Sequence, residues 1–400
     1  MSGFPASERF GKPQIVAGLL LLVFIAECVW LVAHQPPSAI SEEELARAQQ
    51  GVAQWHGRGI ASTPTAGSAE WLRFRREAYD PDHSPLWYLI GSAPVALLDA
   101  GPDSGAWPWL TRLQYVLFGS LLGASVWYVS RRLYGNAGGY IALALYCFSP
   151  SVIRASALWF SQPNIAAVWG TFGSVFTAIA VSHTLYAPRE VVLWNWRRIV
   201  LLGISLGLAI GSQYSLVIIL PILLFFMLYL APARRAAAAV ILASSCLIAL
   251  IILFAGYFFH PRLFWQGLTH ARVLDASGYA LTMAGAYVQV IREVIAGGPV
   301  LALLVPGALV TYVVWRRSRY FGNTAPLVVA VLFLALRVVS PHHLESVFTL
   351  GGIIFAFVFV AGVVADLLET KARDLVLSVV SGLVAANGLW NLIGLARIAR

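Results

Sequence analysis

The chain has 400 residues, of which 59% are hydrophobic and 11% are charged, and its mean hydropathy is +0.76. No soluble fold of this length has enough interior to bury so much apolar surface, so the composition excludes a soluble globular protein and indicates an all-α integral membrane protein. The formal net charge of +9 would suggest nucleic acid as the partner of a soluble protein. In a membrane protein, the excess of Lys and Arg in cytoplasmic connections explains this net charge. We therefore expect no nucleic-acid partner.

Residues 14–33 form the first predicted membrane span. They are about twenty mostly apolar residues, enough to cross the bilayer core, and the absence of a cleavage pattern after them favours an uncleaved anchor. Glu27 lies inside this span, and we expect it either to reach toward the far interface or to face a polar groove between helices. The cysteines Cys28, Cys147 and Cys246 lie in apolar runs, so neither disulfides nor a cysteine metal site is expected.

The polar region over residues 34–108 is the longest in the sequence and is predicted to be a loop outside the membrane. Ser41 and Glu44 have the spacing of a capping box, so we expect Glu44 to act mainly as a helix cap. The apolar residues that follow recur at helical intervals, which predicts an amphipathic helix lying on the membrane. A second amphipathic segment is predicted over residues 69–79.

A short apolar segment over residues 85–98 ends the same region. It has about fourteen residues, too few to cross the bilayer comfortably. We therefore predict an interfacial or re-entrant helix that begins at Pro85, with Ser84 as its cap.

Ten further spans are predicted, which makes about eleven with the first, and residues 1–400 are predicted to be one membrane domain. The approximate bounds are 109–130, 138–158, 165–186, 199–213, 216–230, 237–257, 299–315, 325–339, 347–367 and 375–395. With the amino terminus in the cytoplasm, the arginine-rich connections all fall on the cytoplasmic side, as the positive-inside rule requires. Most histidines and acidic residues then fall outside, with a second long loop over residues 258–298, which predicts extracytoplasmic chemistry.

Asp80, Asp82 and His83 form a dense polar group directly before the short helix that carries Tyr88. Such a group is costly in a membrane protein, which favours a site that handles a polar substrate group at the lipid boundary. The alternative is that both aspartates are turn residues around Pro81, each bonded to the backbone, and that His83 is a solvated turn residue.

Four short motifs follow one another between residues 41 and 183. They are Glu42-Glu43-Glu44, His83-Ser84-Pro85-Leu86-Trp87-Tyr88, Thr111-Arg112-Leu113 and Arg131-Arg132-Leu133-Tyr134-Gly135. Their order resembles the polyprenyl-phosphate-sugar-dependent membrane glycosyltransferases of the C-type fold, in particular the protein O-mannosyltransferases and the lipid A aminoarabinose transferases. The carboxyl-terminal part of the chain is similar to that family only in its hydropathy.

The resemblance implies a glycosyltransferase that moves a hexosyl or pentosyl group from a polyprenyl-phosphate carrier to a lipid, glycan or protein acceptor. It implies an inverting displacement on the extracytoplasmic face with a carboxylate base. The family has an Asp-Glu pair after the first span, with the Asp as base, whereas this chain has three glutamates, which leaves the base open. The candidate bases are Glu43, Glu42, Asp80 and Asp82. The two glutamates alternatively stabilise the positive end of a helix.

Six residues are expected to contact the substrates, because cations and polar groups on the outer face are suited to hold a departing phosphate. They are His83, Arg112, Tyr88, Arg272, His270 and His342. Arg112 alternatively anchors a span to lipid headgroups. Arg154 and Arg337, near the ends of spans, are expected to extend toward the interface.

No cofactor is expected, although a divalent cation is one option. The family often has an acidic residue where this chain has Gln162-Pro163-Asn164, and the group of His342, His343 and Glu345 has no recurring ligand geometry. The expected partners are the polyprenyl-phosphate sugar donor, an acceptor of unknown identity and membrane lipids. The expected location is a bacterial inner membrane.

Two other functions are consistent with the sequence. A transporter or flippase of a lipid-linked sugar would use the same cations without a base, but it would be expected to show inverted repeats. A catalytically inactive scaffold relative is the second, because the usual Asp at the start of the loop is absent.

Overall fold

The structure, a computed structural model, describes residues 12–34, 42–57, 80–157, 163–186, 196–274, 276–340 and 346–398. The side chains of Lys12, Glu42, Glu43 and Ile398 also lie outside the description. All regular secondary structure in the described residues is helical. The all-α membrane fold predicted from the sequence is therefore confirmed.

The α-helices of the described residues are numbered in chain order. They are α1 (Lys12–His34), α2 (Glu42–Trp55), α3 (Pro85–Leu97), α4 (Trp107–Leu110), α5 (Leu113–Cys147), α6 (Pro150–Ala157), α7 (Asn164–Thr184), α8 (Trp196–Ser212), α9 (Ile219–Leu230), α10 (Arg235–Gly256), α11 (Pro261–His270), α12 (Ala284–Gly297), α13 (Leu301–Val314), α14 (Phe321–Val339), α15 (Ser346–Leu368) and α16 (Arg373–Ile398). Short 3-10 helices lie at Tyr214–Ile218, Pro232–Arg234, Gly278–Thr282 and Arg316–Ser318.

Within the described ranges, seven helices are long and apolar enough to cross a membrane. They are Pro13–His34, Trp107–Cys147, Asn164–Thr184, Pro232–Gly256, Phe321–Val339, Ser346–Leu368 and Arg373–Arg397. The pair α12 and α13 meets the same criteria together, with a bend of 107°, and makes an eighth if it is one broken span.

The predicted count of about eleven spans is not confirmed. The predicted spans at 199–213 and 216–230 are present as α8, of 17 residues, and as the short apolar segment Tyr214–Leu230. A helix of 17 residues is about 26 Å long, less than the hydrocarbon core of roughly 30 Å.

The helix α5 covers residues 113–130 of the predicted span at 109–130 and residues 138–147 of the one at 138–158, and it is kinked between them. Gly135 has φ 73° and ψ −171°, a left-handed backbone conformation that glycine adopts at no steric cost. The kink therefore lies at the arginine-rich connection that the sequence predicted, but without a loop.

The first of two compact units consists of Met1–Gln35, Val116–Leu158 and Ala276–Arg400. Its central helix is α15, most of whose residues are buried, with α14 packed along it. In the same unit Glu27 of α1 is 6% exposed, and its Oε1 accepts a hydrogen bond of 3.2 Å from Asn391 Nδ2 of α16. Of the two predicted positions for Glu27, the structure thus shows the one between helices.

The second compact unit consists of Pro36–Tyr115 and Trp159–Asp275. Here α7 packs on α8, and α8 packs on α10. The apolar face of α2, which the sequence placed on the membrane, instead packs with α3 and α4 in a small core of Ala48, Val95 and Trp107. Protein therefore covers this face of α2.

The short helix predicted over 85–98 is present as α3. Ser84 is at its N-cap position but makes no side-chain capping bond there. The predicted loop at 34–108 contains α2, α3 and α4, and the predicted loop at 258–298 contains α11 and α12. The amphipathic segment predicted at 69–79, and Ser41 of the capping box, lie outside the described residues. The single membrane domain over 1–400 stays a prediction.

Replacing Gly51 with alanine is expected to separate α2 from α3. A Cβ at this position would overlap the carbonyl oxygen of Tyr88 and the side chain of Ser92. Overpacking of this kind costs roughly 1–3 kcal/mol. We therefore expect the midpoint of thermal unfolding in detergent micelles to fall for Gly51→Ala. Gly101→Ala is the matched control, because a Cβ at Gly101 meets open space, and an equal loss in both variants would contradict the prediction.

Candidate active site

The turn that precedes α3 is organised by the carboxylate of Asp80. Its Oδ1 accepts hydrogen bonds from the backbone N–H groups of Asp82, at 2.8 Å, and His83, at 3.2 Å. This is the side-chain-to-backbone turn that the sequence offered as an alternative for the two aspartates. For Asp80 that alternative holds, and the turn fixes the direction in which Asp82 and His83 leave the chain.

The other carboxylate oxygen of Asp80 is the acceptor for three side chains. Oδ2 accepts from Arg47 Nη1 at 2.9 Å and from the hydroxyl of Tyr88, and it lies 3.1 Å from His83 Nδ1. We call Arg47, Asp80, His83 and Tyr88 the Asp80 cluster. The structure thus brings together three residues that the sequence singled out, along with one that it did not.

Arg47 was missed by the sequence reasoning, which treated α2 mainly as an acidic, membrane-bound helix. It reaches the Asp80 cluster because α2 packs on α3, where Trp55 Nε1 donates a 2.8 Å hydrogen bond to the carbonyl oxygen of Leu89. The available signal was that Arg47 is the only basic residue in the α2 sequence.

The side chains of the Asp80 cluster keep Asp80 ionised. Burial of the carboxyl disfavours its charge, but the charge and hydrogen bond of His83, the charge of Arg47 and the hydrogen bond from Tyr88 outweigh burial. The pKa of Asp80 consequently lies well below its usual value. A carboxylate with so low a pKa is a weak proton acceptor, so its role in this geometry is to hold the cluster together.

Asp82 has a different environment. Burial, followed by the negative charge of Asp80, raises the pKa of Asp82 above its usual value, against the opposing charges of His83, Arg272 and Arg47. Its side chain remains 13% exposed, and Oδ1 lies 3.9 Å from Arg272 Nε. Asp82 is therefore a partly accessible carboxyl group that accepts a proton more readily than an ordinary aspartate.

Three backbone hydrogen bonds fix the turn that carries Asp82. Arg272 N donates to the carbonyl oxygen of Pro81 at 2.6 Å, and Tyr214 N donates to that of Asp82 at 2.9 Å. Ser84 N donates to the carbonyl oxygen of Gly211 at 3.1 Å. The segment after α11 and the segment after α8 thus both meet this turn. The side chain of Arg272 is 43% exposed.

Arg112 lies in the protein interior, which is neither of its two predicted positions. It is 1% exposed, and its Nη2 donates a 2.9 Å hydrogen bond to Oε1 of Glu44, which is 4% exposed. Its Nη1 donates to Thr111 Oγ1 at 2.9 Å. The buried ion pair holds α2 against the start of α5. Glu44 is therefore the partner of Arg112 in a buried ion pair, a role that differs from the predicted helix cap.

The remaining predicted residues are His270, on α11, and three that lie outside the described residues in whole or in their side chains. His270 is exposed at the end of α11, and its Nδ1 lies 2.7 Å from the carbonyl oxygen of Gln266 in its own helix. His342 lies outside the described residues, as do the side chains of Glu42 and Glu43.

Arg337 does not extend toward the interface as the sequence predicted. It is 4% exposed and forms two hydrogen bonds with the Glu293 carboxylate, at 2.6 and 3.0 Å. Thr349 Oγ1 donates to the same carboxylate at 2.5 Å. This arginine stabilises the contact of α14 with α12.

The described part of the site does not fit a divalent cation. No three histidine, cysteine, aspartate or glutamate side chains among the described residues are arranged to hold one. Both oxygens of Asp80 already accept hydrogen bonds, and Asp82 lies beside the guanidinium of Arg272. The surrounding donors and positive charges suit an anion.

Acidification is expected to remove the stability that Asp80 contributes. Its pKa is lower in the folded than in the unfolded chain, so the contribution is complete above the unfolded value and is lost as the pH falls toward the folded value. The unfolding midpoints of the wild type and of Asp80→Asn should therefore converge on acidification. Asp103→Asn, an exposed aspartate of the same unit, is the control. A difference that stays constant with pH would contradict the assignment.

No protein-family model and no curated protein sequence matches the chain. Similar folds are found among solved structures. ArnT from Cupriavidus metallidurans, bound to undecaprenyl phosphate, is 16% identical with a TM-score of 0.60, over 91% of this chain and 62% of its own. The oligosaccharyltransferase of Archaeoglobus fulgidus, in complex with Zn and sulfate, is 15% identical with a TM-score of 0.62, over 94% of this chain and 53% of its own.

A further structure of the archaeal enzyme, AglB with an inhibitory peptide and a dolichol-phosphate, is 14% identical with a TM-score of 0.58, over 95% of this chain and 56% of its own. The chain therefore spans somewhat more than half the length of these proteins. The similarity extends across nearly all of the present chain, including both compact units. The chain thus has a fold similar to that of ArnT and of the archaeal oligosaccharyltransferase.

Proposed function

We propose that this protein is a glycosyltransferase that moves a sugar from a polyprenyl-phosphate carrier to a lipid, glycan or protein acceptor. The observation that carries the proposal is the pairing of Asp82, a partly exposed carboxyl with a raised pKa, with the exposed guanidinium of Arg272. The fold supports it, since ArnT was solved with undecaprenyl phosphate and AglB with a dolichol-phosphate.

The proposed reaction is a single displacement that inverts the sugar carbon. The acceptor hydroxyl oxygen forms a bond to the anomeric carbon while the bond from that carbon to the phosphate oxygen breaks, and polyprenyl phosphate leaves with the bonding electrons. A base takes the proton of the acceptor hydroxyl. Asp82 is the described residue best suited to this role, because general bases work best when their pKa approaches the working pH.

Arg272 is proposed to bind the departing phosphate. A guanidinium presents parallel N–H donors that match the oxygens of a phosphate, and a fixed positive charge stabilises the negative charge that develops as the bond breaks. Its backbone bond to Pro81 holds Arg272 beside Asp82.

The Asp80 cluster is proposed to position the turn. Ionised Asp80 is engaged by Arg47, His83 and Tyr88, so these groups hold the segment from which Asp82 projects. We thereby assign His83 and Tyr88 a positioning role. Arg112, through Glu44, holds the helix that carries Arg47.

Four further residues are proposed as alternative bases or as substrate contacts. Glu43 and Glu42, at the amino end of α2, are the alternative bases, and His270 and His342 are candidate substrate contacts. We propose a bacterial inner membrane as the location, with the amino terminus in the cytoplasm and the active site on the extracytoplasmic face. Hexosyl and pentosyl donors both fit the proposed reaction.

The test is transfer of label from a polyprenyl-phosphate sugar by the purified full chain in proteoliposomes, with a membrane extract as the source of acceptors. We expect a new glycosidic product and release of polyprenyl phosphate with at least one donor of a hexose and pentose panel. Movement of labelled donor across the bilayer without product would indicate a transporter. Product that is unchanged by substitution of each of Glu42, Glu43, Asp80 and Asp82 would contradict the proposed base.

A further inference from the structure

A cavity of about 280 Å³ lies within the first compact unit and shares no residue with the candidate active site. It is lined by α6, by the end of α12 and by α16. The lining residues that matter here are Ser151, Ile153, Arg154, Trp390, Asn391 and Gly394. The volume is near the lower end of the range of roughly 300–1,000 Å³ for small-molecule sites, which suits a headgroup-sized ligand.

The walls of this cavity are fixed by hydrogen bonds between helices. Asn391 is 3% exposed, and its Nδ2 donates to Glu27 Oε1 at 3.2 Å. Asn387 Nδ2 donates to the carbonyl oxygen of Phe148 at 2.9 Å, and the hydroxyl of Ser149 donates to that of Gly297. Because these bonds join α6, α12 and α16 at the edges of the cavity, the site is formed before any ligand arrives.

Arg154 gives the cavity its charge. It is exposed, and among the described residues it has no carboxylate within ion-pair distance and no hydrogen-bond acceptor. No acidic residue is among the described residues that line the cavity, and the carboxylate of Glu27 accepts a hydrogen bond from Asn391. A guanidinium that has no partner among the described residues and lines a mainly apolar cavity is complementary to a phosphate group.

The other lining residues indicate that the bound phosphate group belongs to a lipid. The cavity is walled by apolar side chains such as Ile153, and Trp390 is 59% exposed beside it. Tryptophan is enriched where a membrane protein meets the headgroup layer, and basic pockets between spanning helices bind lipid headgroups. We propose that this cavity binds the phosphate group of a membrane phospholipid, with Arg154 as its principal contact. This site is independent of the proposed transferase site.

The test is lipid binding by the purified full chain in detergent, measured by native mass spectrometry as a titration with phosphatidylglycerol. Loss of a charged hydrogen-bond partner weakens binding by roughly tenfold or more, so Arg154→Gln should raise the dissociation constant of the most tightly bound lipid by about that factor. Arg154→Lys should retain most of the affinity. Arg292→Gln is the matched control, because Arg292 is an exposed arginine of α12 outside the lining.

A second variant tests the cavity without changing its charge. Gly394 lines the cavity and a Cβ there meets open space, so Gly394→Leu adds an apolar side chain to the cavity wall without a clash of its Cβ. We expect it to lower phosphatidylglycerol binding as Arg154→Gln does, with the thermal unfolding midpoint preserved.

Three outcomes would overturn the proposal. The first is equal weakening by Arg154→Gln and Arg292→Gln, or weakening by neither. The second is equally tight binding of diacylglycerol with the same chains, which would leave the phosphate without a role. The third is displacement of phosphatidylglycerol by an equal concentration of inorganic phosphate, which would make this a site for the free anion.

Discussion

Replacing Asp82 with asparagine is expected to lower the rate constant of sugar transfer by about 10² to 10⁴-fold, the usual contribution of general-base assistance. The amide has nearly the same shape as the carboxylate but cannot take the acceptor proton. The KM for the polyprenyl-phosphate donor should change little, because Arg272 and its backbone bond to Pro81 are retained. The measurement is kcat and KM for the labelled donor in proteoliposomes.

The pH dependence of the wild-type rate is a second test of Asp82 as the base. Since a base must be deprotonated to act, the rate should fall on acidification, and the fall should begin above the usual pKa of an aspartate because burial and Asp80 raise the pKa of Asp82. Asp103→Asn should leave both the rate and the profile unchanged. A wild-type rate in Asp82→Asn, combined with a large loss in Glu43→Gln or Glu42→Gln, would place the base on α2 instead.

Replacing Arg112 with methionine is expected to lower the free energy of unfolding by about 3–5 kcal/mol, the usual cost of removing one partner from a buried ion pair. The variant leaves the carboxylate of Glu44, which is 4% exposed, without its arginine. The double variant Glu44→Gln with Arg112→Met removes both charges and should recover part of the loss. The measurement is unfolding in mixed micelles, with a double-mutant cycle over the two positions.

The chain supplies a matched control for this ion pair. Arg317 and Glu369 lie at 2.6 Å, but their side chains are 61% and 64% exposed. Exposed pairs of this kind contribute at most about 1 kcal/mol, so Arg317→Met should be nearly silent. If Arg112→Met left stability unchanged and raised only the KM for the donor, the residue would be a substrate contact, as the sequence alone suggested.

Local sequence patterns predicted the position of the turn before α3. They could not predict which residues distant in the sequence pair with it. Pro85 marked the start of α3, and the density of polar residues singled out Asp80, His83 and Tyr88, which are close in sequence and are joined in the structure. The partner of Asp80 on α2, Arg47, is 33 positions away. Only the packing of two helices, which no local pattern encodes, brings it there.

The inability of local patterns to show distant contacts also explains the other differences between the predicted and the observed structure. Arg112 and Arg337 each pair with a carboxylate far away in the sequence, at 68 and 44 positions, so their position near the end of a span suggested an interfacial role that burial excludes. Hydropathy identified the apolar segments but not which of them are long enough as helices to cross a bilayer. The bend between α12 and α13 was likewise not visible in composition.

Three main-chain hydrogen bonds hold the turn at Pro81, Asp82 and Ser84. They constrain the number of residues in this segment and not the residue types. Each bond uses an N–H or a carbonyl that almost every residue type provides, so these three contacts depend on the number of residues in the segment and not on their side chains. Inserting or deleting a single residue between Pro81 and Ser84 would shift at least one of these contacts out of register. Natural variation should therefore preserve the length of this segment, with insertions and deletions confined to its flanks.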